Sequence, residues 1–196
     1  AAVALVDATA IKVKLTGEVA LDAMRIVAVR GARPDCWLGV DANQGYAARD
    51  VPALAKLLVA LDVALLGQPV GRGREADLEG MERPLPFAAD ESCVSLAEVD
   101  GLVGRFDVVN IKLDKCGGLT EGLAIAARAR ELGLAVMVGN MMGTSLSMAP
   151  SFVLGQLCDI VDLDGPTFLA ADRQPSVEYR DGDVWCSDTV WGRDAA

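Results

Sequence analysis

A fold of repeated parallel βα units is predicted for this 196-residue chain by three observations. Short apolar runs end in Lys14, Asp41, Gly67, Asp90, Lys112, Gly139 and Asp162, at gaps of 27, 26, 23, 22, 27 and 23 residues. That is about the length of a strand, a loop, a helix and a return loop. The composition, 52% hydrophobic but only 5% aromatic, implies a core of Ala, Val and Leu, as suits a parallel sheet covered by helices. Finally, Lys and Asp recur at the strand ends and hardly at all within the strands, and strand C-termini are where parallel α/β proteins keep their chemistry. A parallel barrel and an open doubly wound sheet both satisfy these observations.

The elements follow in order. Residues 1–8 read as the end of an Ala/Val helix, and Ala10 to Leu15 alternates with period 2, so Lys12 and Lys14 share one strand face. Glu18 to Arg30 reads as an amphipathic helix with Leu21, Met24, Ile26 and Val27 among its apolar positions, broken by Pro34. Trp37 to Asp41 is a strand followed by the polar turn ANQGY. Val51 to Leu61 is helical, Val63 to Leu66 a strand, and residues 72–83 a charged loop with one helical turn. Leu85 to Ala89 is a strand, Leu96 to Val103 a helix, and Asp107 to Leu113 a strand delivering Lys112. Thr120 to Leu132 is an Ala-rich helix, Leu134 to Val138 a strand, Ser147 to Gln156 a helix despite Pro150, and Ile160 to Leu163 a strand. Residues 1–172 are therefore expected to form barrel-type repeats. Residues 173–196 form a tail with a hairpin at Asp181-Gly182, and Trp185 and Trp191 are available to pack on a further domain. Seven strands are one short of a closed barrel, and the chain opens without Met, so a fragment lacking a first strand and the region before it is expected.

The net charge of −10 with no basic cluster argues against nucleic acid or an anionic membrane as partner. No apolar run reaches spanning length. Five cysteines without CxxC spacing read as free thiols in a reducing cytoplasm. The absence of histidine removes Ser-His-Asp and Cys-His catalysis and histidine-ligated zinc, and leaves Cys93 and Cys116 without a partner base. Lysine is scarce, five against thirteen arginines, yet it stands at strand ends. Arg cannot lose its proton in a protein and Lys can.

Carboxylates from neighbouring strand ends suggest a hard-cation site, most simply Mg²⁺. Amines beside it suggest proton transfer. Together they suit removal of a proton α to a carboxylate, the metal stabilising the enediolate. Lys12 and Lys14 lie roughly 6–7 Å apart along the strand. A neighbouring ammonium and partial burial would help Lys14 act as a base.

The segments IKVKL, GVDANQGY, LLGQPV, AADES, DVVNIKLDKCGG and DLDGP, in this order, resemble the enolase superfamily. More narrowly they resemble the dipeptide epimerases of its muconate-lactonising-enzyme subgroup, over residues 10–173. The resemblance implies a (β/α)7β TIM-type barrel, here incomplete, with an N-terminal α+β cap outside this chain. It implies Lys14 and Lys112 as the two acid/base groups, Lys12 as auxiliary, and Asp41 and Asp90 as Mg²⁺ ligands. It also implies Asp162 and Asp164 as the pair that binds the α-ammonium of a dipeptide of the L-Ala-D/L-Glu type, in peptidoglycan peptide metabolism. A homo-oligomer stays open.

The chain departs from the pattern at Gly67, where the family carries the Glu that is the middle metal ligand. Water or Glu91 could fill that place, or the site is weak. Three alternatives stay open: an o-succinylbenzoate synthase, N-acylamino-acid racemase or cycloisomerase of the same superfamily; a catalytically impaired member; and a chain kept for binding. Asp162 and Asp164 argue against the first, whose substrates carry no free α-ammonium.

Overall fold

The repeat spacing resolves into parallel strands alternating with helices in the computed structural model, which describes residues 8–192. The helix expected at the very N-terminus lies, but for Ala8, outside the described residues. The chain divides into two compact units, one of residues up to Ser92 with Leu102–Val108, the other of Cys93–Gly101 with the residues from Val109 on.

The first unit contains β1 (Ala10–Lys14), β2 (Trp37–Asp41), β3 (Leu65–Gly67) and β4 (Phe87–Ala89), parallel neighbours in sequence order. Helices α1 (Val19–Ala32) and α2 (Val51–Ala60) connect the first three. The loop before β4 holds a short 3₁₀ turn at Glu75–Leu78. Leu38, Val40, Leu65, Leu66 and Phe87 are buried, as are Leu54, Ala55 and Leu58 of α2. Consecutive residues of β2, β3 and β4 are buried, which is why these short strands read as apolar runs rather than alternating ones.

The phase of α1 differs from the expected one. Leu21, Met24 and Val27 are exposed, and the buried positions are Asp22 and Ile26. An i, i+4 pair defines the inward stripe, and a carboxylate at one of its two positions hides that stripe from hydrophobic periodicity.

The second unit contains β5 (Val108–Lys112, from Val109), β6 (Ala135–Gly139) and β7 (Ile160–Asp162), with β6 and β7 parallel. Its helices are α3 (Leu113–Cys116), α4 (Leu119–Glu131) and α5 (Ser145–Gly155). The one-turn α3 was not expected. It ends because Gly117 and Gly118 take φ of 88° and 130°, backbone that L side chains resist. Helix α5 starts two residues before the expected position because the Thr144 side chain accepts the Ser147 N–H as N-cap. The segment Leu96–Leu102, expected as a helix, is 3₁₀. Strands β8 (Glu178–Arg180) and β9 (Asp183–Trp185) pair antiparallel around Asp181 and Gly182, both at positive φ, as a two-residue hairpin requires. Among the described residues no helix is long and apolar enough to cross a membrane.

Candidate active site

In the first unit the register sets the polar strand ends level. Lys14 pairs with Asp41 across β1–β2, Asp41 with Gly67 across β2–β3, and Gly67 with Ala88 across β3–β4. The ladder continues beyond the strands through Leu15 N–H to Asp41 O, Ala42 N–H to Gly67 O and Gln68 N–H to Ala88 O, each 2.8–2.9 Å. Lys14, Asp41, Gly67 and Ala88 thus stand level on one C-terminal edge, with Asp90 two residues past Ala88.

Asp41 is buried at 2% exposure, and its two oxygens have different partners. Oδ1 accepts the Asn43 N–H at 3.0 Å, while Oδ2 takes the Lys14 ammonium at 2.5 Å with Lys12 Nζ at 4.0 Å. The structure therefore brings together Lys12, Lys14 and Asp41. Lys14, expected to be partly buried, has a side chain 55% exposed, and that of Lys12 is 17% exposed. Lys14 is last in its strand and reaches over the edge, whereas Lys12 lies one pleat deeper.

Asp90 is also buried, just past β4, and its backbone is held by Gln68. Gln68 is wholly buried at φ 32°. Its Oε1 accepts the Asp90 and Ser92 N–H groups at 2.9 and 3.2 Å. Its Nε2 donates to Val70 O and Ser92 Oγ at 2.9 and 2.7 Å. All four of the amide's strong sites are satisfied, so Gln68 ties the edge of β3 to that of β4.

Gly67 presents no oxygen between them. A Cβ built there would meet Val40 O at 3.3 Å and Asp41 Oδ1 at 3.4 Å, a tight but open place. Among the described residues no group of three or more His, Cys, Asp or Glu side chains is gathered to hold a metal. Two buried carboxylates nonetheless fit a hard cation that keeps several waters, as Mg²⁺ does with one or two carboxylates. Glu91 Oε2 is buried without a hydrogen-bond partner, a further oxygen beside Asp90 that lacks a donor. These are the hard oxygens this edge offers a divalent cation.

In the second unit, Lys112 ends β5 and is buried at 9% exposure. Gly139 ends β6 directly opposite Asp162 at the end of β7. A Cβ at Gly139 would stand 3.2 Å from Lys112 Cε and 3.1 Å from Asn110 Oδ1, so this glycine gives the lysine stem its room. Asp162 is half-buried and Asp164 exposed, in the turn leading to Gly165 and Pro166. Tyr179 O–H donates to Leu163 O at 2.6 Å and anchors the residue between the two aspartates. Burial pushes that phenol upward, with Asp164 and Asp172 adding to the effect.

Sequence reasoning missed Asp22, Tyr46 and the latch role of Gln68. Tyr46 and Gln68 lie within the quoted motifs and could have been found there. Asp22 had only its place on a helix face to mark it.

A parallel β/α scaffold with lysines and carboxylates at its strand C-termini is the class so defined. The chain belongs to the Enolase C-terminal domain-like family, whose model matches residues 1–189. It is 44% identical over 174 residues to an L-Ala-D/L-Glu epimerase of Escherichia coli (strain K12), covering 89% of this chain and 54% of the relative. It is 40% identical over 169 residues to an N-acetyl-D-glutamate racemase of Pseudoalteromonas sp, covering 86% and 54%. A solved L-Ala-D/L-Glu epimerase aligns with TM-score 0.86 at 43% identity, over 93% of this chain and 57% of that one. A dipeptide epimerase from Methylococcus capsulatus complexed with Mg and L-Arg-D-Lys aligns with TM-score 0.86 at 29% identity, over 91% and 53%. The expected fold class, the enolase-superfamily barrel in part, is borne out. The chain spans about half the length of the curated relatives it matches.

Proposed function

We propose that this chain carries the acid/base and cation-binding residues of a Mg²⁺-dependent dipeptide epimerase of the L-Ala-D/L-Glu type, acting by two-base 1,1-proton transfer. Lys14, as the neutral amine, takes the α-proton of the C-terminal residue, and the C–H electron pair moves into the carboxylate to give an enediolate. Lys112, as the ammonium, returns a proton to the opposite face, and the roles exchange for the reverse reaction. Lys12 contacts the substrate carboxylate. Asp41 and Asp90 would hold Mg²⁺, which would supply positive charge where the negative charge of the enediolate develops. Asp162 and Asp164 pair with the dipeptide's α-ammonium.

The observation that carries this reading is the contact of Lys14 with buried Asp41 on the strand edge, in a chain 44% identical to an L-Ala-D/L-Glu epimerase. With Mg²⁺ bound, Asp41 would no longer pair with the Lys14 ammonium, and the amine would stand on the edge where the substrate carboxylate is held. The test is incubation of the Mg²⁺-loaded full-length protein with a dipeptide panel in deuterated solvent. Deuterium at the α-carbon of the C-terminal residue is the expected outcome, and its absence across the panel rejects the reading.

A second reading is favoured by the likeness to the N-acetyl-D-glutamate racemase: the same chemistry on an N-acylated amino acid. Asp162 and Asp164 distinguish the two, because an acylated nitrogen offers no cation to a carboxylate pair. A third, weakened catalysis, is favoured by Gly67. The free cysteines fit a reducing cytoplasm as the working compartment.

A further inference from the structure

Asp22 is a wholly buried carboxylate on α1 that takes no part in the proposed chemistry, yet it gathers four donors from two loops. Its oxygens accept the Thr16 N–H at 2.9 and 3.0 Å, the Thr16 hydroxyl at 2.9 Å and the Gly17 N–H at 3.1 Å. From the other side Tyr46 O–H donates at 2.6 Å. Thr16 and Gly17 begin the loop after β1, two and three residues past Lys14. Tyr46 ends the turn after β2, five residues past Asp41. The two loops also touch directly. Gly17 sits at φ +87°, and a Cβ there would stand 2.7 Å from Gly45 O, so only glycine allows the backbones to meet.

We propose that Asp22 is a positioning residue: by clamping the loops after β1 and β2 through Thr16, Gly17 and Tyr46, it fixes the ends of β1 and β2, and with them the backbones of Lys14 and Asp41, for proton transfer. This rests on Lys14 being an acid/base group as proposed above. The physical reason is one of leverage. The Lys14 side chain is long and half-exposed, so its aim depends on where its backbone is anchored. That anchor is the last pair of the β1–β2 ladder, the place where a ladder frays unless something beyond it is held. A buried carboxylate with charge-assisted hydrogen bonds from both loops supplies that hold. A misplacement of about 1 Å costs a proton transfer about 100-fold.

The experiment compares the full-length protein with Tyr46→Phe and Asp22→Asn. Two readouts are taken: dipeptide α-proton exchange resolved into kcat and KM, and the Lys14–Asp41 Cα separation in crystal structures. Tyr46→Phe keeps the ring and removes one donor, and about a tenfold fall in kcat is expected with KM within about twofold, on the scale of a small misplacement. Asp22→Asn replaces an acceptor oxygen by a donor facing donors, and about a 100-fold fall is expected. Both variants should show a Lys14–Asp41 separation longer than the native one. If Asp22→Asn does not fold, Tyr46→Phe carries both readouts. Variants that lose only melting temperature, with kcat and the separation unchanged, would reduce Asp22 to a structural residue and overturn the proposal. If the native protein exchanges no α-proton, the epimerase reading fails, and the separation alone then decides whether the clamp positions the lysine.

Discussion

Gly67 stands directly opposite Asp41 in the β2–β3 register, and the space its missing side chain leaves is bounded by Val40 O and Asp41 Oδ1. A carboxylate grown from this position would emerge beside one buried carboxylate and two residues before Pro69, on the same edge as Asp90. Gly67→Glu should therefore raise Mg²⁺ affinity by tenfold or more, about 1.4 kcal/mol. The slight crowding against Val40 O is expected to cost little stability. Titration calorimetry of native and variant protein checks this, and equal affinities would mean that Asp41 and Asp90 do not form a cation site.

In the proposed reading, Asp162 and Asp164 would decide between a dipeptide and an N-acylated amino acid. Asp162→Ala should raise KM for a dipeptide about 10- to 100-fold, the loss of a charge-assisted pair. The same change should leave an N-acetyl amino acid unaffected or better bound, since one repulsive carboxylate is gone. Steady-state kinetics on the two substrates reads the difference directly. An equal effect on both would remove the ammonium-binding assignment.

The acid limb of stability should report on Asp22. Burial raises its pKa, but the hydrogen bonds from Tyr46, Thr16 and Gly17 outweigh burial and hold the carboxyl below its ordinary value. Its contribution is therefore present above the unfolded value near pH 4 and is lost as pH falls through the lower folded value. The melting-temperature gap between native protein and Asp22→Asn should be steady from about pH 5 to 8 and narrow below about pH 4. Tyr46 works in the opposite direction. Burial first, then the bond to Asp22, push its phenol upward, so its contribution holds below about pH 10 and fades above. A gap that widens on acidification would contradict the clamp as described.

Much of this was legible from residue order. Strand ends at Asp41, Lys112 and Asp162 fell where the spacing placed them, because a βα repeat has little freedom in length. Helix α1 was found, but its inward face was not. Hydrophobic periodicity weighs Leu21, Met24 and Val27, all of which face outward, and cannot see that a carboxylate is the buried group. Lys12 and Lys14 were placed on one face by alternation, while their unequal exposure depends on which of them ends the strand. Gln68 was read as part of a motif, and only its left-handed backbone and four hydrogen bonds disclose a latch.

Gln68→Leu keeps the volume and removes the latch. It strands the N–H groups of Asp90 and Ser92, each worth about 1–3 kcal/mol when buried without a partner. A loss of about 3 kcal/mol in urea unfolding is expected, with weakened Mg²⁺ binding as Asp90 loosens. Native-like stability in the variant would show that the loop after β4 is held by other means.

The proposed division of labour between Lys14 and Lys112 is tested most directly by the α-proton exchange of single-lysine variants. Lys14→Ala and Lys112→Ala should each lower epimerisation by about 100-fold or more. Each should still exchange the α-proton of one epimer of the dipeptide, and the two variants should retain opposite epimers. Loss of both exchanges in each variant, or retention of the same epimer by both, would contradict two bases working on opposite faces of one carbon.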